Sequence, residues 1–336
     1  MSGLLDRLPA AQRRLLTEAP SGVALAARPT LAVLSDRRDF GDGWLFERKL
    51  DGVRALAVRE DGRVRLLSRN GNRLDDTYPE LVEALAAQPC EDFTVDGEIV
   101  AYAHGRTDFA RLQRRMQLTD PDKARASGVA VTFFLFDLLR LDAMNVTALP
   151  LRTRKSLLRD ALEFGPLLRF TTHRNQGGQE LLDQACARGW EGLIAKRAQG
   201  RYPARRSPDW LKLKCQAGQE LVVGGFTEPA GSREGFGALL VGHYESGRLR
   251  YAGKVGTGYD RATLLRLRRK LDELERRTSP FADAVHERGA HWCRPALVAQ
   301  IGFSEWTRDG MLRHPRFLGL RDDKKPEDVV REAPAA

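Results

Sequence analysis

Two Asp-Gly pairs, at 51–52 and 61–62, divide the stretch after Gly43 into three runs, Trp44–Leu50, Val53–Arg59 and Arg63–Arg69. Asp-Gly is a preferred centre for hairpin turns because both positions tolerate positive φ. The spacing therefore predicts consecutive antiparallel strands, the first turn being looser than a tight hairpin. It commits this region to antiparallel sheet, with helices left to flank it. Strand alternation puts Glu47, Lys49 and Asp51 on one face of the first run, and Trp44, Phe46, Arg48 and Leu50 on the other.

Lys49 is the candidate nucleophile in that run. Lysine attacks only as the free amine, and a pKa of about 10.4 leaves roughly one molecule in a few thousand deprotonated at neutral pH. Further cations or a metal ion are needed nearby to lower that pKa. Taken alone, Lys-x-Asp-Gly is short enough to arise by chance, and a surface strand with an ordinary ion pair is the favoured reading.

At 336 residues the chain has room for two domains. Its 55 Lys+Arg against 45 Asp+Glu give a net charge of +10, which favours a polyanionic partner such as nucleic acid. The cysteines, at 90, 186, 215 and 293, form no Cys-x-x-Cys pair and have no histidines at ligand spacing. That pattern predicts neither a zinc site nor a disulfide framework, and so a reducing, cytoplasmic setting. Near the N-terminus, Leu4, Leu5, Leu8, Leu15 and Leu16 are interrupted by Asp6, Arg7, Arg13 and Arg14, unlike a signal-peptide core. No apolar run is long enough to span a membrane.

Residues 1–27 read as a short helix and flexible lead-in. Thr77 is placed to cap a helix beginning near Pro79 and stopped by Pro89. Phe93–Ala101 alternates as a strand, and Val131–Leu139 reads as a buried one. Helices follow at 152–163 and 178–188, then strands Glu191–Lys196 and Trp210–Lys214. After Cys215 a polar break precedes strands Leu221–Phe226, Ala238–Tyr244, Arg248–Ala252 and Leu297–Trp306, with a helix over 260–277. Such a series suits a small OB-fold barrel. The expected organisation is thus α+β: a domain of antiparallel sheets with flanking helices over 28–215, a barrel over 216–330, and a disordered tail, 331–336.

Short strands in the first domain expose polar groups at i and i+2: Glu47 with Lys49, Asp96 with Glu98, Lys212 with Lys214. Lining one cleft, they would supply a nucleophile, carboxylates for a divalent metal, and lysines for phosphate. Each pair alone also fits a solvated strand face. In order, Glu47–Arg54, Ser68–Gly71, Val95–Glu98, Phe134–Asp137, Glu191–Lys196, Trp210–Lys214 and Leu320–Lys324 resemble the motifs of ATP-dependent DNA ligases. Tyr251–Gly258 and Leu312–Arg321 are similar to stretches of the ligase modules of bacterial end-joining ligase D proteins. The resemblance implies a nucleotidyltransferase (adenylation) domain followed by an OB-fold domain. No polymerase or phosphoesterase module flanks the motifs, so a free-standing ligase is expected.

For the residues, the resemblance implies a division of labour. Lys49 would attack the α-phosphorus of ATP and carry AMP, which passes to a DNA 5′-phosphate before the 3′-hydroxyl displaces it. Glu47 would hold the adenine, Phe136 stack on it, and Arg54 reach the ribose and phosphate. Glu98 and Glu191 would position Mg²⁺, with Mn²⁺ as a substitute. Lys212 and Lys214 would bind the α-phosphate and depress the pKa of Lys49. Arg321 and Lys324 would orient the β- and γ-phosphates, with a flexible join at 215–219 letting their domain move. Arg69, Arg205, Arg206 and Lys254 would contact DNA, and Arg201, Arg266, Arg268, Arg269 and Lys270 add positive charge that a solvated surface explains as well. The implied partners are nicked or broken double-stranded DNA and a Ku-like end-binding protein, and the implied state is a monomer. An RNA-capping guanylyltransferase or RNA ligase shares the lysine chemistry, whereas a non-catalytic DNA-binding relic would not need the intact lysines and carboxylates.

Overall fold

Backbone pairing distributes the three runs between two sheets. The computed structural model describes residues 3–103, 105–215, 218–229, 231 and 234–332. Gln216 and Ala217 of the expected join, and 333–336 of the expected tail, lie outside the described residues. The chain divides after Cys215 into two units.

In the first unit the principal strands are β1 (Leu31–Leu34), β2 (Trp44–Arg48), β3 (Val53–Glu60), β4 (Arg63–Ser68), β5 (Phe93–Ala103), β6 (Val131–Leu141), β7 (Gly192–Arg197) and β8 (Arg206–Lys214). The second Asp-Gly pair makes a hairpin of β3 and β4, with positive φ at both Asp61 (52°) and Gly62 (70°). The first does not. Strand β2 pairs with β7 in a smaller sheet ordered β1-β8-β7-β2, while β3 pairs with β4 and β5 in a larger sheet that continues to β6. Asp51-Gly52 is thus a crossing between sheets, and Gly52 is required by crowding: a Cβ there would sit 2.1 Å from the Ile99 carbonyl oxygen.

Helices α1 (Pro79–Ala86), α2 (Leu151–Ala161) and α3 (Gly178–Ala187) flank the sheets. Pro79 occupies the first turn of α1, but Thr77 is not its cap; Tyr78 holds that position and the Thr77 hydroxyl donates to the Leu118 carbonyl at 2.9 Å. The expected flexible lead-in is instead docked. Leu4, Leu5, Leu8, Leu15 and Leu16 pack on the core of the larger sheet, and Thr17–Glu18 pairs with Met144–Asn145. Leu and Arg alternate there because one side of the segment is buried, which removes its apolar surface from water.

The cysteines also depart from expectation. Cys186, near the end of α3, and Cys215, just beyond β8, form a disulfide with their Cα atoms 5.1 Å apart, while Cys90 and Cys293 are free and buried. Twenty-nine residues separate the pair in sequence, so only the packing of α3 against the small sheet brings them together.

In the second unit, Arg248–Val255, Leu239–Glu245, Gly218–Thr227 and Ala290–Gly302 pair in that order, and Arg316–Leu320 adds to the last. Helix Arg261–Asp272 closes a core containing Leu221, Phe226, Phe236 and Ile301. This is the OB-fold. Its longest strand begins at Ala290, seven residues before the predicted Leu297, because a register shift between Val223 and Gly225, opposite the segment that contains Pro295, lets an interrupted strand stay paired.

Candidate active site

Register in the small sheet of the first unit assembles the site. Strand β7 lies between β2 and β8, and its pairings set three rows across one face: Leu45–Lys196–Trp210, Glu47–Ile194–Lys212, and Gly192–Lys214. Lys49 extends the last row, its backbone N–H donating to the Gly192 carbonyl at 2.9 Å. The opposite face, with Trp44, Phe46, Leu193, Ala195, Leu211 and Leu213, is sealed by α3. One side of the sheet is therefore core, and the other carries the lysines and carboxylates.

Gly192 is the centre of this arrangement. Its φ of +146° is open to glycine, and a Cβ would lie 1.9 Å from the Leu213 carbonyl oxygen. Lys49 and Lys214 thus flank a position with no side chain.

The Lys49 ammonium lies 2.5 Å from Glu191, with 19 % of the lysine side chain exposed. Burial would lower its pKa, but Glu191, Asp51 and Glu98 outweigh burial and raise it. The expected depression by Lys212 and Lys214 is not the net direction here: the neighbouring carboxylates favour the protonated form of Lys49. Among the described residues no group of three or more His, Cys, Asp or Glu is arranged as a metal cluster. Two carboxylates still suit Mg²⁺, which commonly keeps several waters and borrows phosphate oxygens. Glu191 Oε2, moreover, is buried without a hydrogen-bond partner. A divalent cation on Glu191 and Glu98 would supply positive charge that competes with the ammonium and favours the free amine.

Glu47 is 2 % exposed, clasped by Lys155 Nζ at 2.6 Å and Lys196 Nζ at 2.7 Å. Burial pushes its pKa up, yet the two ammonium groups more than reverse this, leaving it below the usual value and ionised. Sequence reasoning gave neither lysine a role. Lys155 had a visible signal, since it lies on the same helical stripe as Leu151 and Leu158, where a charge needs a partner.

Arg54 is turned toward the protein. Its Nε and Nη2 fork onto Asp96 at 2.5 Å each, Nη2 also reaches the Thr30 carbonyl, and the guanidinium lies 4.7 Å from the centre of the Phe136 ring. Phe136 is the extra residue at a bulge where β6 slips against β5, and Lys196 Nζ lies 4.1 Å from its ring centre. The bulge aims Phe136 between the sheets instead of into the core formed by Phe133. Tyr202 donates to Asp96 at 2.6 Å. Tyr202→Phe is expected to lower stability by about 1.5–3 kcal/mol, leaving a buried carboxylate one donor short. A denaturation midpoint equal to wild type would mean that Arg54 alone satisfies Asp96.

Glu98 stands opposite Arg54 on β5, and Lys212 and Lys214 are partly exposed on β8. Arg69 lies in the turn after β4 and is half-buried; Arg201, Arg205 and Arg206 are exposed, with Arg206 bonding the Ala32 carbonyl. In the second unit Arg321 is buried and forks onto Asp323 at 2.9 Å, while Lys324 lies 3.3 Å from Glu220. Lys254 pairs with Glu287 at 2.8 Å. Arg268 bonds Asp272 of its own helix and the Gly235 carbonyl outside it, so it ties the helix to its surroundings, whereas Arg266, Arg269 and Lys270 are distributed along the same helix.

Residues 25–214 match the ATP dependent DNA ligase domain family, and 232–324 match the ATP dependent DNA ligase C terminal region. The chain is 40 % identical over 316 residues to the multifunctional non-homologous end joining protein LigD of Pseudomonas aeruginosa, a match covering 91 % of this chain and 37 % of that protein. Against the LigD of Mycobacterium tuberculosis it is 39 % identical over 298 residues, covering 86 % of this chain and again 37 % of the relative. The chain therefore spans little more than a third of these relatives. A solved structure of mycobacterial DNA ligase D complexed with ATP and MES superposes with a TM-score of 0.63 at 34 % identity, covering 92 % of this chain and 99 % of that one. With lysines and carboxylates aligned on one face of the small sheet and both family matches in sequence order, the chain belongs to the ATP-dependent DNA ligases.

Proposed function

We propose that this chain seals 5′-phosphate/3′-hydroxyl breaks in double-stranded DNA through a lysyl-AMP and then a DNA-adenylate. The row that places Lys49 and Lys214 on either side of Gly192, with Glu191 against Lys49, carries this reading. The family uses ATP and a divalent metal. Lys49, having given up its proton, forms a bond to the α-phosphorus as the bond to pyrophosphate breaks. Lys212 and Lys214 face the same side and balance the negative charge that gathers on the phosphate oxygens. The 5′-phosphate of the break then takes AMP from Lys49, and the 3′-hydroxyl displaces AMP to join the strand.

The end-joining names of the relatives and the net charge of +10 support a role at DNA breaks, with a Ku-like end-binding protein as recruiter and the chain acting as a monomer. Its setting in this reading is the bacterial cytoplasm and nucleoid, a placement that follows from the role at DNA and no longer from the cysteines, since Cys186 and Cys215 are bonded. Among the described residues no helix is long and apolar enough to cross a membrane.

The test is to incubate the protein with Mg²⁺ and ATP or GTP labelled at the α-phosphate, recover the protein, and add nicked duplex. Label from ATP that moves to the nick and ends in a sealed strand is the expected result. Label from GTP alone, or a protein adduct that never reaches DNA, would count against it. For the second unit, Lys324→Ala is expected to slow adduct formation roughly 10- to 100-fold while leaving the sealing of a pre-adenylated nick nearly unchanged. Equal losses in the two steps would remove Lys324 from the pyrophosphate-leaving step.

A further inference from the structure

The Glu47 carboxylate sits in an arrangement more elaborate than an ion pair requires. Lys155, from α2, donates to Glu47 Oε1 and to the Thr171 carbonyl at 2.9 Å. Lys196, from β7, approaches Oε2 with its ammonium 4.1 and 4.0 Å from the ring centres of Phe136 and Trp210. Both lysines are at most 2 % exposed. Burying two ammonium groups around one carboxylate is costly, and apolar side chains of similar volume would commonly serve stability as well.

Among the described residues, two polar atoms beside this cluster lack a hydrogen-bond partner. Thr171 Oγ1, on a residue 5 % exposed, and His173 Nδ1 are buried without hydrogen-bond partners. His173 responds electrostatically to Lys155, Glu47 and Lys196, and burial together with the two lysines lowers its pKa, so its ring is held neutral. Most buried polar atoms in native proteins are hydrogen-bonded, so an unpartnered one calls for an explanation, of which a bound ligand is one.

We propose that Lys155 and Lys196 are specificity-determining positioning residues: they hold Glu47 as a fixed, acceptor-only carboxylate for the exocyclic amino group of a purine, and the Thr171 hydroxyl bonds the same edge of the base. This rests on the reading that Lys49 takes AMP from ATP. Held against position 6 of the base, an ionised carboxylate accepts from the amino group of adenine and meets repulsion from the carbonyl oxygen of guanine, whose donors lie at positions 1 and 2, so its orientation sets which nucleotide is admitted. Neither lysine touches the reacting phosphate in this scheme; both act through Glu47.

Adduct formation at varied concentration tests this with three probes: ATP, GTP, and the triphosphate of purine riboside, which lacks the exocyclic amino group. Lys155→Met is expected to raise KM for ATP about 10- to 100-fold, with little change for the purine riboside analogue, narrowing the preference for ATP accordingly. Lys155→Arg is expected to recover part of it. Thr171→Val removes a hydroxyl that has no partner among the described residues, so the fold is expected to be kept; its KM for ATP is expected to rise severalfold at unchanged melting temperature. Losses of equal size for ATP and the analogue in Lys155→Met would assign the lysine a purely structural role, and an unchanged KM for ATP in Thr171→Val would remove Thr171 from the base contact; either result overturns the assignment. Wild-type protein that takes no label from ATP would instead refute the ligase reading beneath it.

Discussion

Lys49→Arg is expected to abolish covalent labelling from ATP, lowering adduct formation on the order of a thousandfold or more, while the protein folds normally and still seals a pre-adenylated nick. The arginine keeps a positive charge beside Glu191, which accepts the Lys49 ammonium at 2.5 Å, so the pair that anchors this corner survives. What it lacks is a neutral form, since a guanidinium stays protonated throughout the working range. The substitution therefore separates the charge of Lys49 from its nucleophilicity. Because the carboxylates raise the Lys49 pKa, the reactive amine becomes more abundant as pH increases, and wild-type adduct formation should climb through neutral and alkaline pH. Adduct that persists in Lys49→Arg would place the covalent bond on another residue.

The sequence made Lys49 legible because strand alternation and ordered motifs act over a few residues at a time. It also exposed Glu191, whose position at the start of a short alternating run brings it against Lys49 once β7 pairs with β2. Facts that depend on tertiary approach were hidden. An Asp-Gly pair reads as a hairpin wherever it occurs, and only the pairing of β2 with β7 and of β3 with β5 reveals that this one passes between sheets. Arg54 was expected near the ribose and phosphate; its engagement by Asp96, Thr30 and Phe136, drawn from three distant segments, was not visible in the sequence. The Cys186–Cys215 bond likewise follows from the seating of α3, which no cysteine spacing encodes. Lys155 was visible as a charge in an apolar stripe, but its partner Glu47 is 108 positions away.

Gly192→Ala is expected to cost about 2–6 kcal/mol of stability and adduct formation with it. A residue confined to a glycine-only conformation contributes about 1–3 kcal/mol of strain when a side chain is added, and forced overlap adds about 1–3 kcal/mol. The overlap here is with backbone, the Leu213 carbonyl oxygen at 1.9 Å from the new Cβ, so no rotamer change can relieve it. Relief requires β7 and β8 to separate at the row that carries Lys214, and the Gly192 carbonyl that accepts from Lys49 moves with them. Amide exchange at Lys49 should then accelerate ahead of exchange in the larger sheet, locating the damage at the nucleophile. A variant with the wild-type melting temperature and the same Lys49 protection would show that the close strand approach is dispensable. Ala in place of Gly62 provides the contrast, since that residue has positive φ but no atom within 4 Å of its added Cβ: its loss should be confined to turn strain and leave labelling of Lys49 intact.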